Sequence, residues 1–372
     1  MTNPPAPLPL TVLTGFLGAG KTTLLNRLLR DPALADTAVL INEFGEVAID
    51  HLLVEHVDDG VVMLSSGCLC CSVRGELVGA LEDLLRRIDN GRSPQIGRVV
   101  IETTGLADPA PVLLSVLAHP YLSLRFRIAG VITMVDAVNG AATLDAHPEA
   151  VKQVAIADRI VLTKTDLVEG GPNGTAAAAL ATRLDRLAPA ASRVDSAQSN
   201  LTAALLGAGF DPAHAGDGRA LRLAEWLSAD AVAAAEARDG GSDTNRHDER
   251  IRAFTVTAEQ AISTAAFEGF LDLLRAAHGP NLLRFKGVVK LAEHPDRPVV
   301  VHGVQHIVHP PVELPAWPDG DDRTRLVLIA RDLDAAVVRR LFSAFLGTPQ
   351  IDTPDAAALT TNPLAVPGLR FF

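Results

Sequence analysis

Short apolar runs alternate with helical patterns along the first half of the chain. The runs predict strands at Leu10–Thr14, Ala38–Ile41, Val61–Leu64, Arg98–Glu102, Ile128–Asp136 and Arg159–Thr163. The 3.6-residue patterns predict helices that begin near Lys21, Arg74, Pro111, His147 and Thr175. Such alternation is typical of an α/β fold with a mostly parallel sheet. Because ligands bind at the carboxyl ends of parallel strands, the polar motifs that follow these strands are expected to converge.

The pattern changes in the last third of the chain. Residues 239–250 are polar, charged and without apolar periodicity, which is typical of an exposed linker. The smaller α+β unit that follows is predicted to contain strands at Ile251–Thr257, Leu282–Leu291, Pro298–His306 and Arg325–Ile329, with helices at Thr264–His278 and Asp334–Leu346. The predicted organisation is therefore one domain over 1–238, a linker over 239–250 and a second domain over 251–372.

Composition and charge exclude several classes of protein. The 372 residues are long for one core, and 48% of them are hydrophobic, so a folded two-domain protein is expected. The formal net charge is -11 and no basic block occurs, which argues against a nucleic-acid partner. No apolar run is long enough to cross a bilayer, and the apolar N-terminal stretch leads directly into a glycine loop, as a first strand would. We expect no membrane partner and a cytoplasmic location.

The first strand leads into a phosphate-binding pattern. Gly15-Phe-Leu-Gly-Ala-Gly-Lys21-Thr22 matches G-x-x-x-x-G-K-[ST] and precedes a predicted helix. In such a loop the backbone N–H groups and the helix N-terminus point at phosphate oxygens. We expect Lys21 to reach the β- and γ-phosphates and the Thr22 hydroxyl to bind Mg²⁺.

Two later strand ends carry polar motifs that suit a nucleotide. Glu102 ends the fourth predicted strand, where a carboxylate could hold Mg²⁺ or its water, and Gly105 could let a backbone N–H approach the γ-phosphate. Thr163-Lys164-Thr165-Asp166 is similar to the Asn-Lys-x-Asp motif of GTPases, with Thr163 in place of the Asn. The Asp166 carboxylate can accept hydrogen bonds from the N1–H and N2–H₂ groups of guanine, so the motif favours guanine and leaves adenine open.

The full set of predicted nucleotide and catalytic residues follows from these motifs. The nucleotide-binding residues are Gly15, Gly18, Ala19, Gly20, Lys21, Thr22, Thr23, Lys164 and Asp166, and the catalytic residues are Lys21, Glu102 and Gly105. Asn42-Glu43-Phe44-Gly45-Glu46 follows the second strand and is the candidate for a loop that senses γ-phosphate and Mg²⁺.

All three cysteines of the chain, Cys68, Cys70 and Cys71, fall within four residues. An odd, clustered set is no disulfide framework. Thiolates select soft or borderline metals, so the cluster predicts a site for Zn²⁺ or, second, Co²⁺. Three ligands leave a coordination position open, which suits transfer of the metal better than a closed structural site. Buried packing and a redox pair are the alternatives.

Two further residues are candidates for additional metal ligands: Glu46 in the candidate sensing loop and His119 after the predicted Pro111 helix. His302 and His306 are an even number of residues apart in a predicted strand and could share a face. An isolated histidine is more often structural than a ligand.

Taken in order, these motifs resemble the CobW-like (YjiA-type) P-loop GTPases, relatives of the nickel-insertion GTPases of hydrogenase and urease. The resemblance rests on Thr14–Thr23, Asn42–Val47, Gly67–Cys71, Glu102–Pro109, Val135–Ala137, Ala157–Asp166, Leu283–Gly287, Gly303–His306 and Leu326–Ile329. It implies a P-loop GTPase domain followed by a CobW C-terminal domain, Mg²⁺-dependent GTP hydrolysis and metal-coupled activation of a client. It also implies that Cys68, Cys70 and Cys71 hold the metal. The chain lacks the long His-rich stretch of some members.

The sequence thus predicts a GTP-hydrolysing metallochaperone that passes its metal to an apo-metalloprotein client, with homo-oligomer formation left open. A P-loop small-molecule kinase is one alternative, and it gives the cysteines no role. A nucleotide-dependent metal or redox sensor is the other, and it would regulate partners without delivering metal.

Overall fold

A computed structural model of the protein describes residues 5–42, 73–92, 96–171, 174–198, 201–206, 223, 226–228, 232–234, 250–317 and 320–347. These residues form two six-stranded sheets, one parallel and one antiparallel. Among the described helices, none combines the length and the apolar character needed to cross a membrane.

The first sheet is wholly parallel, with the strand order β2-β3-β1-β4-β5-β6. Its strands are β1 Leu8–Gly15, β2 Thr37–Asn42, β3 Arg98–Thr103, β4 Phe126–Asp136, β5 Arg159–Thr163 and β6 Ser192–Asp195. Its helices are α1 Lys21–Leu29, α2 Val73–Asp89, α3 Ala110–Leu117, α4 Leu122–Arg125, α5 Gly140–Ala146, α6 Pro148–Ala155, α7 Thr175–Leu187 and α8 Leu201–Leu206. The predicted α/β fold is confirmed.

Alternation of side chains along the strands gives this sheet two apolar faces. Leu13 and Met134 belong to one buried cluster, together with Leu24 and Leu25 of α1 and Leu201 of α8. The opposite-facing residues of β1, β3 and β4 join a larger cluster with α2, α3, α6 and α7. Because both faces are covered, the strands are continuous apolar runs, as the sequence pattern indicated.

The second sheet is antiparallel and is formed by the chain from Ile251 onward. Its strands are β7 Ile251–Ala258, β8 Leu282–Val289, β9 Val299–Val304, β10 Ile307–Val308, β11 Val312–Glu313 and β12 Thr324–Arg331, and its helices are α9 Thr264–His278 and α10 Ala335–Phe345. The α9 helix has the predicted bounds, since the Ser263 hydroxyl accepts a hydrogen bond from the Ala266 N–H at its start. The predicted linker lies outside the described residues except for Arg250, so the domain boundaries stay a prediction.

The prediction that His302 and His306 share a strand face is wrong. Strand β9 ends at Val304, and Gln305 adopts a left-handed φ of 52° in the tight turn to β10. His306 therefore lies in the turn. The His302 ring stacks instead on His309, with ring centroids 3.7 Å apart; His309 is buried and His302 is half-buried.

A buried ion cluster joins the two sheets. Arg284 of β8 donates to both carboxylate oxygens of Asp158, at 2.7 and 2.6 Å, and to the carbonyl oxygen of Ile156. The Lys286 ammonium lies 2.8 Å from the same carboxylate, and the Val131 N–H donates to it at 2.8 Å. Burial would raise the pKa of Asp158, but the two cations and the hydrogen bonds outweigh it and hold that pKa well below its ordinary value. The second sheet is thus fixed to the amino end of β5.

Candidate nucleotide site

The phosphate loop runs from the end of β1 into α1. Gly20 caps the helix with φ 86°, a left-handed conformation in which a side chain would be strained. Lys21, the first residue of α1, is buried, and its ammonium donates to the carbonyl oxygen of Gly15 at 2.9 Å. This places the charge inside the curl of the loop, where a phosphate entering the loop would meet it.

The neighbouring strand supplies a carboxylate to the same place. The Thr22 hydroxyl donates to Glu102 Oε1 at 3.4 Å, and Glu102 is only 5% exposed near the end of β3. The Thr103 hydroxyl donates to that of Thr14 at 2.8 Å, which fixes β3 against β1 at this edge. A hydroxyl and a carboxylate side by side are hard oxygen donors of the kind that Mg²⁺ prefers, so this pair fits a Mg²⁺ ion bound with the nucleotide.

The loop after β3 lies directly on the phosphate loop. A Cβ atom on Gly105 would come within 2.6 Å of the Leu17 backbone nitrogen, so only glycine fits. The carbonyl groups of Gly105 and Ala107 both accept from the side-chain amide of Gln153, at 3.1 and 2.9 Å. Gln153 belongs to α6 and is buried. Any movement of Gly105 must therefore displace either the phosphate loop or this amide.

Thr163 takes the position of the Asn in the Asn-Lys-x-Asp pattern. Its hydroxyl donates to the Ala19 carbonyl of the phosphate loop at 2.9 Å and approaches the Val135 carbonyl at 3.3 Å. A single buried hydroxyl thus ties β5 to the phosphate loop and to β4. The substitution for Asn keeps a hydrogen-bond donor at this position.

The remainder of the motif forms a short turn. Lys164 has a left-handed φ of 56°, and residues Thr165–Leu167 form one 3₁₀ turn. The Lys164 ammonium lies 2.7 Å from Asp136 Oδ2, whereas Asp166 is exposed. The motif therefore presents one held cation and one carboxylate that faces solvent.

A cavity of about 280 Å³ lies beside the phosphate loop. Its wall includes Phe16–Ala19 of the phosphate loop, Asp136 at the end of β4, and Lys164. The Phe16 ring stacks on His147, with centroids 4.3 Å apart. The cavity thus joins the first part of the phosphate loop to the Asp136–Lys164 pair, whereas Lys21, Thr22, Glu102 and Asp166 are not part of its wall.

Most of the predicted metal ligands are not among the residues that the structure describes. Cys68, Cys70, Cys71, Glu43 and Glu46 lie outside the described residues. Within the part of the chain that is described, no three His, Cys, Asp or Glu side chains group in a way that could hold a metal ion.

His119 lies apart from the phosphate-binding edge of the sheet. It follows α3, which starts after the Gly105 loop and rises about 12 Å over its eight residues. Its Nε2 atom is 3.6 Å from Glu82 in the middle of α2, and its Nδ1 accepts from the Leu122 N–H at 3.3 Å. Both ring nitrogens thus have protein neighbours, and its role as a metal ligand stays a prediction.

Sequence reasoning gave no role to three side chains at the site. Gln153 looked like one more residue of an amphipathic helix, and only its position opposite the Gly105 loop reveals its role. Asp136 and Asp195 each end a strand that neighbours β5, and a carboxylate at the carboxyl end of a parallel strand was the available signal.

The sheet order, the phosphate loop and the strand-end carboxylate define a P-loop nucleotide-binding protein. Family profiles agree: "CobW/HypB/UreG, nucleotide-binding domain" matches residues 9–194, and "Cobalamin synthesis protein cobW C-terminal domain" matches residues 251–346. The chain belongs to the CobW/HypB/UreG family of P-loop GTPases.

Curated relatives match nearly the whole chain. The zinc chaperone YjiA of Escherichia coli is 32% identical over 337 residues, which cover 91% of this chain and 98% of that protein. The zinc chaperone CobW of a Sinorhizobium species is 29% identical over 374 aligned residues, which cover 91% of this chain and 97% of that protein. The crystal structure of Zn(II)-bound YjiA GTPase from E. coli superposes with a TM-score of 0.65 at 27% identity, covering 92% of this chain and 99% of that one.

Proposed function

We propose that this protein is a GTP-hydrolysing metallochaperone that binds Zn²⁺ through Cys68, Cys70 and Cys71 and passes it to an apo-metalloprotein client. One observation supports the nucleotide half above all others. The Thr22 hydroxyl bonds to Glu102, and the Thr163 hydroxyl bonds to the Ala19 carbonyl. Phosphate-binding, Mg²⁺-type and base-reading residues are thus parts of one hydrogen-bonded unit.

Each group in this unit has a chemical task. Lys21 and the N–H groups at the start of α1 neutralise the phosphate oxygens, and the Lys21 charge stabilises the negative charge that develops during phosphoryl transfer to water. Thr22 and Glu102 would hold Mg²⁺, which would further stabilise the negative charge of the phosphates. The Asp166 carboxylate selects guanine by accepting hydrogen bonds from the N1–H and N2–H₂ groups of the base.

The metal half of the proposal rests on the sequence and on the relatives. Three thiolates within four residues suit Zn²⁺, and they occur in a chain that matches proteins named zinc chaperones over almost their full length. Coupling between the two halves requires that the zinc affinity differ between the GTP- and GDP-bound states.

The test is an anaerobic zinc titration of the full chain with Mg²⁺ and either GDP or a non-hydrolysable GTP analogue. We expect tight binding that changes with the nucleotide and is lost in the Cys70→Ser/Cys71→Ser variant. Lys21→Ala is the matched control, since it should keep the thiol site but lose the dependence on nucleotide. Identical zinc affinity in both nucleotide states would exclude the coupling.

A second arm separates delivery from sensing. The protein is loaded with zinc and GTP, hydrolysis is started with Mg²⁺, and released metal is followed with a chromogenic zinc chelator. Release that keeps pace with hydrolysis supports a chaperone. Metal that stays bound through many turnovers indicates a sensor instead.

A further inference from the structure

Asp136, the last residue of β4, binds a group of donors that the phosphate chemistry does not require. Its Oδ1 atom accepts from the backbone N–H groups of Val138 and Asn139, at 2.8 and 3.1 Å. Its Oδ2 atom accepts from the Asn139 amide at 3.1 Å and from the Lys164 ammonium at 2.7 Å. Three of these four donors come from the turn after β4, so the turn fixes the carboxylate independently of Lys164.

The Asp136–Lys164 pair differs from an ordinary surface ion pair. The Asp136 side chain is 11% exposed and that of Lys164 is 37% exposed, so water screens the contact only in part. Burial would raise the pKa of Asp136, but the hydrogen bonds from Lys164, Asn139 and Val138 lower it below its ordinary value. Asp136 is therefore ionised at neutral pH and holds Lys164 with a charge-assisted hydrogen bond.

A second carboxylate lies on the other side of the base-reading turn. Asp195, the last residue of β6, accepts from the Thr165 hydroxyl at 3.0 Å and from the Ala197 N–H at 2.8 Å. Strand β5 lies between β4 and β6, so the turn that follows β5 has one aspartate on each side. Asp136 and Asp195 thus bind the side chains of Lys164 and Thr165, whereas the next residue, Asp166, is exposed to solvent.

We propose that Asp136 and Asp195 form a two-sided clamp that positions the base-reading turn and so determines nucleotide specificity. Asp136 fixes the Lys164 stem as a platform for the purine ring, and Asp195 fixes the following residue. The Asp166 carboxylate is then aimed at the edge of the base. This inference rests on the proposed function, because it assumes that the turn reads guanine.

The clamp makes a kinetic prediction that a purely structural role does not. A long lysine side chain loses much rotational freedom when it covers a base, and prior anchoring removes that cost from binding. Loss of the anchor should therefore weaken GTP binding and lower the preference for GTP over ATP. The turnover rate at saturation should change little, since Lys21, Thr22 and Glu102 are untouched.

The test compares Asp136→Asn and Asp195→Asn with a matched control, Asp145→Asn. Asp145 is an exposed carboxylate that pairs with Arg183 on the outside of α5 and α7. Fluorescent nucleotide titrations give the Kd for GTP and ATP, and steady-state assays give kcat and KM. We expect the GTP Kd to rise about tenfold in Asp136→Asn, as for a lost charge-assisted hydrogen bond, and about threefold in Asp195→Asn. Asp145→Asn should match the unmodified protein.

The outcomes separate this inference from the proposed function. If the unmodified protein shows no preference for GTP over ATP, the proposed guanine reading fails, and the clamp fails with it. If the unmodified protein prefers GTP and Asp136→Asn keeps the same preference and Kd, the clamp alone is overturned.

A second variant guards against loss of folding in Asp136→Asn. Lys164→Gln breaks the same pair from the other side, and the double variant should be no worse than the poorer single variant, because both remove one interaction. Thermal melts of all variants are recorded alongside. Strictly additive losses in the double variant would show that the two residues act separately, which contradicts the clamp.

Discussion

Arg284 and Asp158 lie 126 positions apart in the sequence, yet the guanidinium donates to both carboxylate oxygens and both side chains are almost fully buried. Asp158 immediately precedes β5, and β5 leads into the base-reading turn. The contact therefore connects the second sheet to the strand whose other end carries the nucleotide motif.

Breaking this pair from one side should be costly. Arg284→Met leaves the buried Asp158 with Lys286 as its one remaining cationic partner in the described structure. The carboxylate keeps one cation but loses the charge-assisted hydrogen bonds from the guanidinium, so we expect the free energy of unfolding, measured by urea denaturation, to fall by about 1.5–3 kcal/mol. Arg250→Met is the matched control, because Arg250 also binds an aspartate bidentately, Asp332, but on the exposed surface. The control should show no measurable change, and equal losses in the two variants would contradict the prediction.

The stacked pair His302 and His309 should make the protein sensitive to mild acid. Burial lowers the pKa of His309 to about 3 and that of His302 well below its ordinary value, with further lowering by nearby positive charge. Between about pH 6.5 and pH 3 the unfolded chain binds protons that the folded protein excludes, so stability is full above pH 6.5 and decreases as the pH falls. At pH 5 this is about 2 kcal/mol for His309.

The measurement is the urea midpoint at pH 7 and at pH 5. The pKa of Asp158 is lowered, so its own contribution is lost only below about pH 4 and does not mask the effect. His309→Phe keeps an aromatic ring in the stack and cannot titrate. The difference between the two midpoints should be smaller in this variant, and an unchanged difference would exclude His309 as a source.

Gly105→Ala should impair hydrolysis. The added methyl group would lie 2.6 Å from the Leu17 nitrogen and 2.8 Å from its Cα, so the phosphate loop or the Gly105 loop must shift. Misplacement of a catalytic loop by about 1 Å can cost about 100-fold in rate, and we expect a loss of at least tenfold in kcat.

Gly79→Ala is the control for that experiment. Gly79 belongs to α2, and a Cβ atom there meets no atom within 4 Å. The substitution should leave hydrolysis unchanged and raise stability by up to about 1 kcal/mol. Wild-type hydrolysis by Gly105→Ala would mean that the contact with Leu17 is absent when the reaction takes place.

Asp166→Asn should change which base is bound. The carboxylate can accept from both guanine N–H groups, whereas the Asn amide offers a donor that suits the C2 carbonyl of xanthine. We expect the affinity for GTP to fall at least about 100-fold and binding of xanthosine triphosphate to appear. Competition titrations with the two nucleotides measure their relative affinities. Glu169→Gln serves as the control, because Glu169 is an exposed acidic residue three positions after Asp166. Retention of GTP preference by Asp166→Asn would remove the basis for guanine reading.

The sequence predicted correctly those elements whose bounds are set by neighbouring residues. Strand β5 has the predicted bounds, Arg159–Thr163, because a buried apolar run ends at a polar motif. Helix α9 has its predicted bounds because Ser263 caps one end and Gly279 follows the other. The short elements α4, α5, α8, β6, β10 and β11 were not predicted, since two to seven residues give too little periodicity.

Site residues divide in the same way. Lys21, Thr22, Glu102 and Lys164 lie in contiguous motifs at strand ends, so spacing was enough to propose them, and their roles stay predictions. Gln153 and Asp195 act through contacts to segments far away in the chain, and no local pattern marks such a contact. The Val135-Asp136-Ala137 segment was noticed only through the resemblance, and its chemistry emerges from the position of Lys164.

The ion cluster between the sheets also limits how the halves of this molecule can be exchanged. A chimera that joins the first half of this chain to the second half of a relative keeps Asp158 but takes residues of the relative at 284 and 286. Unless at least one of those residues is again a cation, the hybrid carries an uncompensated buried carboxylate. Asp158 lies in one family domain and residues 284 and 286 lie in the other, so a chimera must take all three residues from the same parent.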